Sequence, residues 1–364
     1  MAGDWLSRWL GRGRGTAPPD RSPVDPIASL ERALLDDRAL MARLRADGLA
    51  GHRDRYSARA TVAADLRDAL RADAGAVEAA WLRRLAAAGP TGAAGLDWRL
   101  RRALREGWSG EAGNPRRPLR LAIDLCHASG RRREGALIAL GAVPVDPTLA
   151  PLILLRLNDW VGPVREAAWT TATGAAGTAP LGWADAIWPM LPQAEGWSRG
   201  RARLHALALA PTIRPAIAEA LRAASAGRAP SALRALTLRE DALDAFLPVL
   251  ATAAVQPGVR AVALTMLLEG GPARVIGTEP TSEGSRIMRP VIERRPLAVA
   301  PPPGLVGAAL ADGAAAPRRA LLDAAIGGHV AIPGEALARL GTDRRPSIRE
   351  RVDFLARRMG ITSA

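Results

Sequence analysis

Apolar residues along this chain recur at i, i+3, i+4 and i+7, in blocks that Gly, Pro or Asp interrupts every dozen residues or so. Segments such as IASLERALLDDRALMARLRADG (27–48), VEAAWLRRLAAAG (77–89) and LDWRLRRALREGW (96–108) carry that spacing. It gathers the apolar side chains on one face of a helix, so a succession of amphipathic helices is predicted from Ile27 to about Gly271. The same rhythm resumes at Leu305 and runs to Met359. Between them, residues 272–303 (PARVIGTEPTSEGSRIMRPVIERRPLAVAPPP) replace Ala and Leu with Pro, Gly and β-branched residues. That composition predicts a long loop or a small β-hairpin inserted into the helical run. Residues 11–26 are Gly, Pro and charge, a flexible linker in composition. The chain is thus expected to divide into a tail (1–26), helical repeats (27–271), a non-helical insertion (272–303) and further helices (304–364).

Composition sharpens the helical expectation. Hydrophobic residues make up 48% of the 364 positions, with only two Phe and one Tyr, and the excess is Ala and Leu. Both are strong helix formers and neither is enriched in strands. Apolar runs fall short of the 18 or more residues a membrane span needs. Residues 1–15 hold no long apolar core or small-residue cleavage site, so no secretory signal is expected. The single cysteine, Cys126, excludes an internal disulfide and a multi-cysteine metal site. These features predict a cytoplasmic protein. The 50 basic residues are all arginine. Without lysine there is no Walker A phosphate loop, no pyridoxal phosphate Schiff base and no Ser-x-x-Lys nucleophile. The net charge of +14 permits an anionic partner without requiring one.

Internal repetition is the strongest signal. Asp159-Trp-Val-Gly-Pro-Val-Arg165-Glu166 recurs as Asp343-Arg-Arg-Pro-Ser-Ile-Arg349-Glu350, both fitting Asp-x4-(Val/Ile)-Arg-Glu. A third copy, Val259-Arg260, has Ala254 in place of the Asp. Upstream, Pro151, Pro189 and Pro248 stand in matching apolar segments, LAPLILL, IWPML and FLPVL. At these residues the chain resembles the HEAT repeat family, whose units are two antiparallel helices, the first often kinked by proline. The resemblance implies an all-α superhelix, an α-solenoid with armadillo-like curvature, acting as a binding scaffold rather than a catalyst. It also implies that Asp159 with Arg165, and Asp343 with Arg349, are groups of a ladder between neighbouring repeats. A hairpin of about 30 residues cannot cover its own apolar face, so such units stack and each buries the next. In the helix after Asp159 the inward stripe is expected to be Val164, Ala167, Ala168 and Thr171.

Three features could carry recognition. Residues 99–133 hold ten arginines against Glu106, Glu111 and Asp124. Arg101, Arg102 and Arg105 are expected to face away from the stripe formed by Leu96, Leu100, Ala103 and Leu104, and with Arg99 they are the candidate partner-binding arginines. Such a face can displace counterions from a phosphate backbone, or be an ordinary solvated helix surface. Tryptophans cluster at Trp160, Trp169, Trp183, Trp188 and Trp197. Trp169 lies four residues beyond Arg165, on the side away from the buried stripe, where the two could stack as a hot spot or Trp169 could pack between repeats. Asp4–Leu10 places Trp5, Leu6, Trp9 and Leu10 on one side and suits a partner, a membrane surface or the protein's own repeats. Asp159, Trp160 and Trp169 also bear a superficial likeness to the base-binding set of HEAT-like alkylpurine DNA glycosylases. Cys126 and His127 point about 100° apart on a helix and do not pair as nucleophile and base. The four histidines lack metal-ligand spacing, so no metal, cofactor or small-molecule substrate is inferred. A protein partner is the leading expectation, nucleic acid the alternative.

Overall fold

The structure, a computed structural model, describes residues 74–104, 118–238, 240–281 and 288–359, with Ala28 and Ala42. The side chains of 74–79, 102–104 and 118–120 are outside that description, as are Asp4–Leu10 and Arg105. The described chain is mostly helical, with one two-stranded antiparallel sheet.

The first described helix, α1 (Ala74–Leu104), is bent at Gly89, whose φ of 62° precedes Pro90. Helices then follow in pairs. They are α2 (Pro118–Leu125) with α3 (Gly130–Gly141), α4 (Ala150–Arg156) with α5 (Gly162–Thr178), and α6 (Pro180–Ile187) and α7 (Leu191–Ala194) with α8 (Arg201–Leu209). Next come α9 (Arg214–Ala223) with α10 (Ala229–Thr237), and α11 (Leu247–Ala253) with α12 (Pro257–Leu268). After the strands the pattern returns as α13 (Leu305–Ala311) with α14 (Ala315–Ile326), and α15 (Gly334–Gly341) with α16 (Pro346–Arg358).

Second helices pack on second helices: α3 on α5, α10 on α12, α12 on α14, α14 on α16. First helices do the same, α2 on α4, α4 on α6, α6 on α9, α9 on α11 and α11 on α13. The stripe on α5 falls as its spacing requires, with Val164, Ala168 and Thr171 buried and Ala167 half-buried. Thr171 Oγ1 also donates to Leu137 O of α3 at 2.9 Å. Small residues let these helices approach closely, so the alanine content is spread along one continuous core.

The three matching prolines lie where a 3-10 turn passes into an α-helix. Pro151 and Pro248 open α4 and α11 behind the turns Pro147–Leu149 and Asp244–Phe246, and Pro189 lies inside the turn Trp188–Met190 between α6 and α7. A proline there removes an N–H that the change of helix type leaves unused. Asp159 and Asp343 occupy the bends between α4 and α5 and between α15 and α16.

The insertion forms a β-hairpin, β1 (Ala273–Pro280) and β2 (Met288–Arg294), in antiparallel register from Ala273↔Arg294 to Pro280↔Met288 with an irregularity between Val275 and Gly277. Its root is tied to the helices. Asp244, fully buried, accepts from Arg295 Nη1 at 2.9 Å and Nη2 at 2.7 Å and from the Ala298 N–H at 2.9 Å. Arg295 also donates to Thr237 O, and Arg294 pairs with Glu269. Beyond its root every residue of β1 is exposed.

Candidate functional site

The most organised polar arrangement among the described residues runs through the bends. Arg133 Nε and Nη2 grip both oxygens of Asp159, at 2.8 and 2.9 Å, while Arg133 Nη1 donates to His127 O and Ala128 O of its own bend. The Val161 N–H closes a turn on Asp159 Oδ1 at 3.0 Å. Arg165 does not meet this carboxylate. It donates instead to the Asp159 backbone oxygen, at 2.8 Å. Of the two residues that the resemblance implied as groups of a ladder between neighbouring repeats, Asp159 meets an arginine of the preceding helix pair, whereas Arg165 meets only a backbone oxygen of its own bend. Arg133 binds the carbonyl six residues back and reaches forward to the carboxylate of the next bend, whereas Arg165 makes only the first of these contacts. An arginine is long enough to do both because its guanidinium offers five donors in a fixed fork.

The rule recurs at the other end. Arg260 donates to Ala254 O and grips Asp312 at 2.7 and 2.9 Å. Arg318 binds Asp312 O and reaches Asp343 at 2.8 Å, and Arg349 binds Asp343 O at 2.7 Å. Here too the carboxylate is met by the arginine of the preceding helix pair, Arg318, and Arg349 of its own pair binds only the backbone oxygen. Asp312 and Arg318 keep the Asp-x5-Arg spacing of the other two copies. They escaped the motif because Pro317 and Arg319 stand where Val/Ile and Glu were required.

Behind Asp159 the network deepens. Arg156, buried beneath the bend, lies 3.5 Å from Asp159 and pairs with Asp97 of α1, which also accepts from Arg101 at 3.3 Å. Asp97, Arg133, Arg156 and Asp159 are all buried. Burial alone would push the Asp159 carboxyl up, yet the Arg133 guanidinium and the Val161 N–H hold it below the usual carboxylate range. Burial pushes the Cys126 thiol beside Asp97 well up, which keeps it protonated and unreactive, a buried small residue as its setting predicts.

These contacts revise the basic surface. Arg133, one of the ten arginines counted in the basic segment, is 0% exposed, and Arg101 is drawn onto Asp97 rather than facing away. Arg99 is half-buried, whereas the side chain of Arg102 and all of Arg105 lie outside the described residues. The tryptophans separate. Trp183 is fully buried, and Trp188, Trp197 and Trp169 are half-buried against the core, so Trp169 belongs to packing more than its helical phase implied. Trp160 is 68% exposed and Trp98 56%. Each follows directly an aspartate that binds Arg156. The Asp159 carboxylate itself faces inward with both oxygens occupied, and so presents no open anion to a cationic base.

Among the described residues no group of His, Cys, Asp and Glu could hold a metal ion, and no helix is long and apolar enough to cross a membrane. Set against family models, curated proteins and solved structures, this chain matches none.

Proposed function

We propose that this chain is a HEAT-type α-solenoid that serves as a scaffold for a partner protein, which it grips through Trp98 and Trp160. Support for the architecture comes from helices that stack first on first and second on second, and from arginine–aspartate bridges joining consecutive bends. Support for the partner comes from one observation above the rest. Two large indoles stand exposed beside the aspartates of a single buried ion network. Exposed tryptophans on a rigid base are the usual anchors of protein interfaces, because they bury much area while losing little side-chain entropy. The network beneath ties α1 to the bend at Asp159, so an incoming surface meets a preformed site.

The test compares tagged wild-type chain with the Trp98→Ala/Trp160→Ala double variant. A partner recovered from cells by the wild type should be lost from the variant at unchanged helicity. The purified pair should then show at least a tenfold difference in Kd. Equal recovery by both proteins overturns the assignment of the anchors. Tight, salt-dependent binding of random duplex DNA, without a protein partner, replaces this function with nucleic-acid binding.

A further inference from the structure

Far from Trp160 along the chain, the β-hairpin stands out from the helices with an uneven pair of faces. Cross-strand register places Ala273 with Arg294, Val275 with Ile292, Thr278 with Pro290 and Pro280 with Met288 on one side. The other side carries Arg274 with Glu293, Gly277 with Val291, and Glu279 with Arg289, the last pair bonded at 2.8 Å. Beyond Arg294 at the root, the first face carries no charge, and four of the six residues on the second are charged. On the apolar face Val275, Met288 and Ile292 are 61, 50 and 46% exposed. Among the described residues no further strand pairs with this hairpin, and a two-stranded hairpin gains little from such exposure and offers a strand edge for pairing.

The apolar face leads into a cleft. Ala273 lines a depression of about 380 Å³ between α10, α12 and the hairpin root, together with Leu238, Val262 and Met266. Its charges are unequal. Glu269 is taken by Arg294, and Glu195 faces His205 Nε2 at 3.2 Å and Arg201 at 3.6 Å. Arg234 on the same wall is exposed, and among the described residues no carboxylate pairs with it. The cleft thus combines an apolar floor with one uncompensated positive charge, beside a strand with an open edge. β2 has Pro290 within it, which cannot donate to a further strand, whereas β1 has no proline before its last residue.

We propose that the hairpin and this cleft form a docking site for an extended peptide segment of a partner protein. The segment pairs with the free edge of β1, sets an apolar side chain in the cleft and places a carboxylate against Arg234. Main-chain pairing supplies the binding, while the cleft and the arginine select the sequence. The proposal rests on the scaffold function but uses a surface separate from Trp98 and Trp160.

The test selects random twelve-residue peptides on the full chain and measures the enriched sequences by fluorescence polarisation. Apolar residues at alternate positions with an Asp or Glu should be enriched. Their Kd should rise at least tenfold with Arg234→Glu, and likewise with Val275→Thr/Ile292→Thr, which keep strand propensity. All these side chains are exposed, so helicity and Tm should not change. Any of four results overturns the proposal: no peptide enriched over scrambled controls, binding indifferent to both variants, a duplex DNA ligand lost with Arg234→Glu, or a wild-type dimer dispersed by Val275→Thr/Ile292→Thr. If peptide binding is indifferent to both variants while a partner still needs Trp98 and Trp160, the scaffold function stands and the docking site falls.

Discussion

Arg133 holds the geometry of two bends at once, and its removal is the sharpest residue-level test of how consecutive helix pairs are joined. Taking away one partner of a buried ion pair strands the other charge, which typically costs about 3–5 kcal/mol. Arg133→Ala should therefore destabilise the protein by that order in urea denaturation. Arg165→Ala, which loses a bond to a backbone oxygen, should cost closer to 1–3 kcal/mol. Equal effects would mean that the Arg133–Asp159 pair is not the joint. The same carboxylates set a pH dependence. Asp159 is held low against its own burial by Arg133, and Asp312 against its own by Arg260. Asp343 is held low first by the Arg345 N–H. A carboxylate whose native pKa lies below its unfolded one contributes fully above the unfolded value, near 4, and loses that contribution as pH falls through the native value. Urea midpoints should thus fall as pH drops below about 4. Asp159→Asn should start from a lower midpoint and show a shallower decline.

Among the elements, the hairpin depends on its root more than on its own strands. Gly271 adopts φ 152°, and a Cβ there would stand 1.8 Å from Arg295 O. Nothing larger than glycine fits without moving the backbone that carries Arg295 onto Asp244. Gly271→Ala should loosen the hairpin while the helices persist. Trypsin should cut after Arg274 several-fold faster than in the wild type, at nearly unchanged helical circular dichroism. Unaltered cleavage rates would show that the root is not what fixes the hairpin. A different constraint acts at Gly200, where a Cβ would meet Leu157 and the Asn158 backbone within 2.8 Å. Asn158 Oδ1 accepts from the Arg199 and Gly200 N–H groups, joining these bends where Arg165 extends no bridge to a following carboxylate.

At the scale of the molecule, stability in a stacked array is a sum of units and their nearest-neighbour interfaces. Hydrogen exchange should then show graded protection. It should be strongest from α1 to α6, where the ion network and the largest buried side chains lie, and weaker toward α16. A single protection level across all helices would indicate one cooperative core and count against a solenoid. The helical class, the bends at Asp159 and Asp343 and the strands within 272–303 were legible in the sequence, because each rests on spacing or composition within a few residues. The proline positions were legible for the same reason. The partners of those aspartates were not. Of Arg131, Arg132 and Arg133, helical phase alone can turn any one inward, and only the neighbouring bend selects Arg133. Trp169 faced away from its own stripe yet packs half-buried, since the phase of one helix says nothing of its neighbours. Local pattern therefore determined which residues form helices and where they bend. Contacts between elements decided which charges are buried, which indoles remain exposed and where the hairpin is moored, because those depend on how far and at what rotation one unit lies against the next.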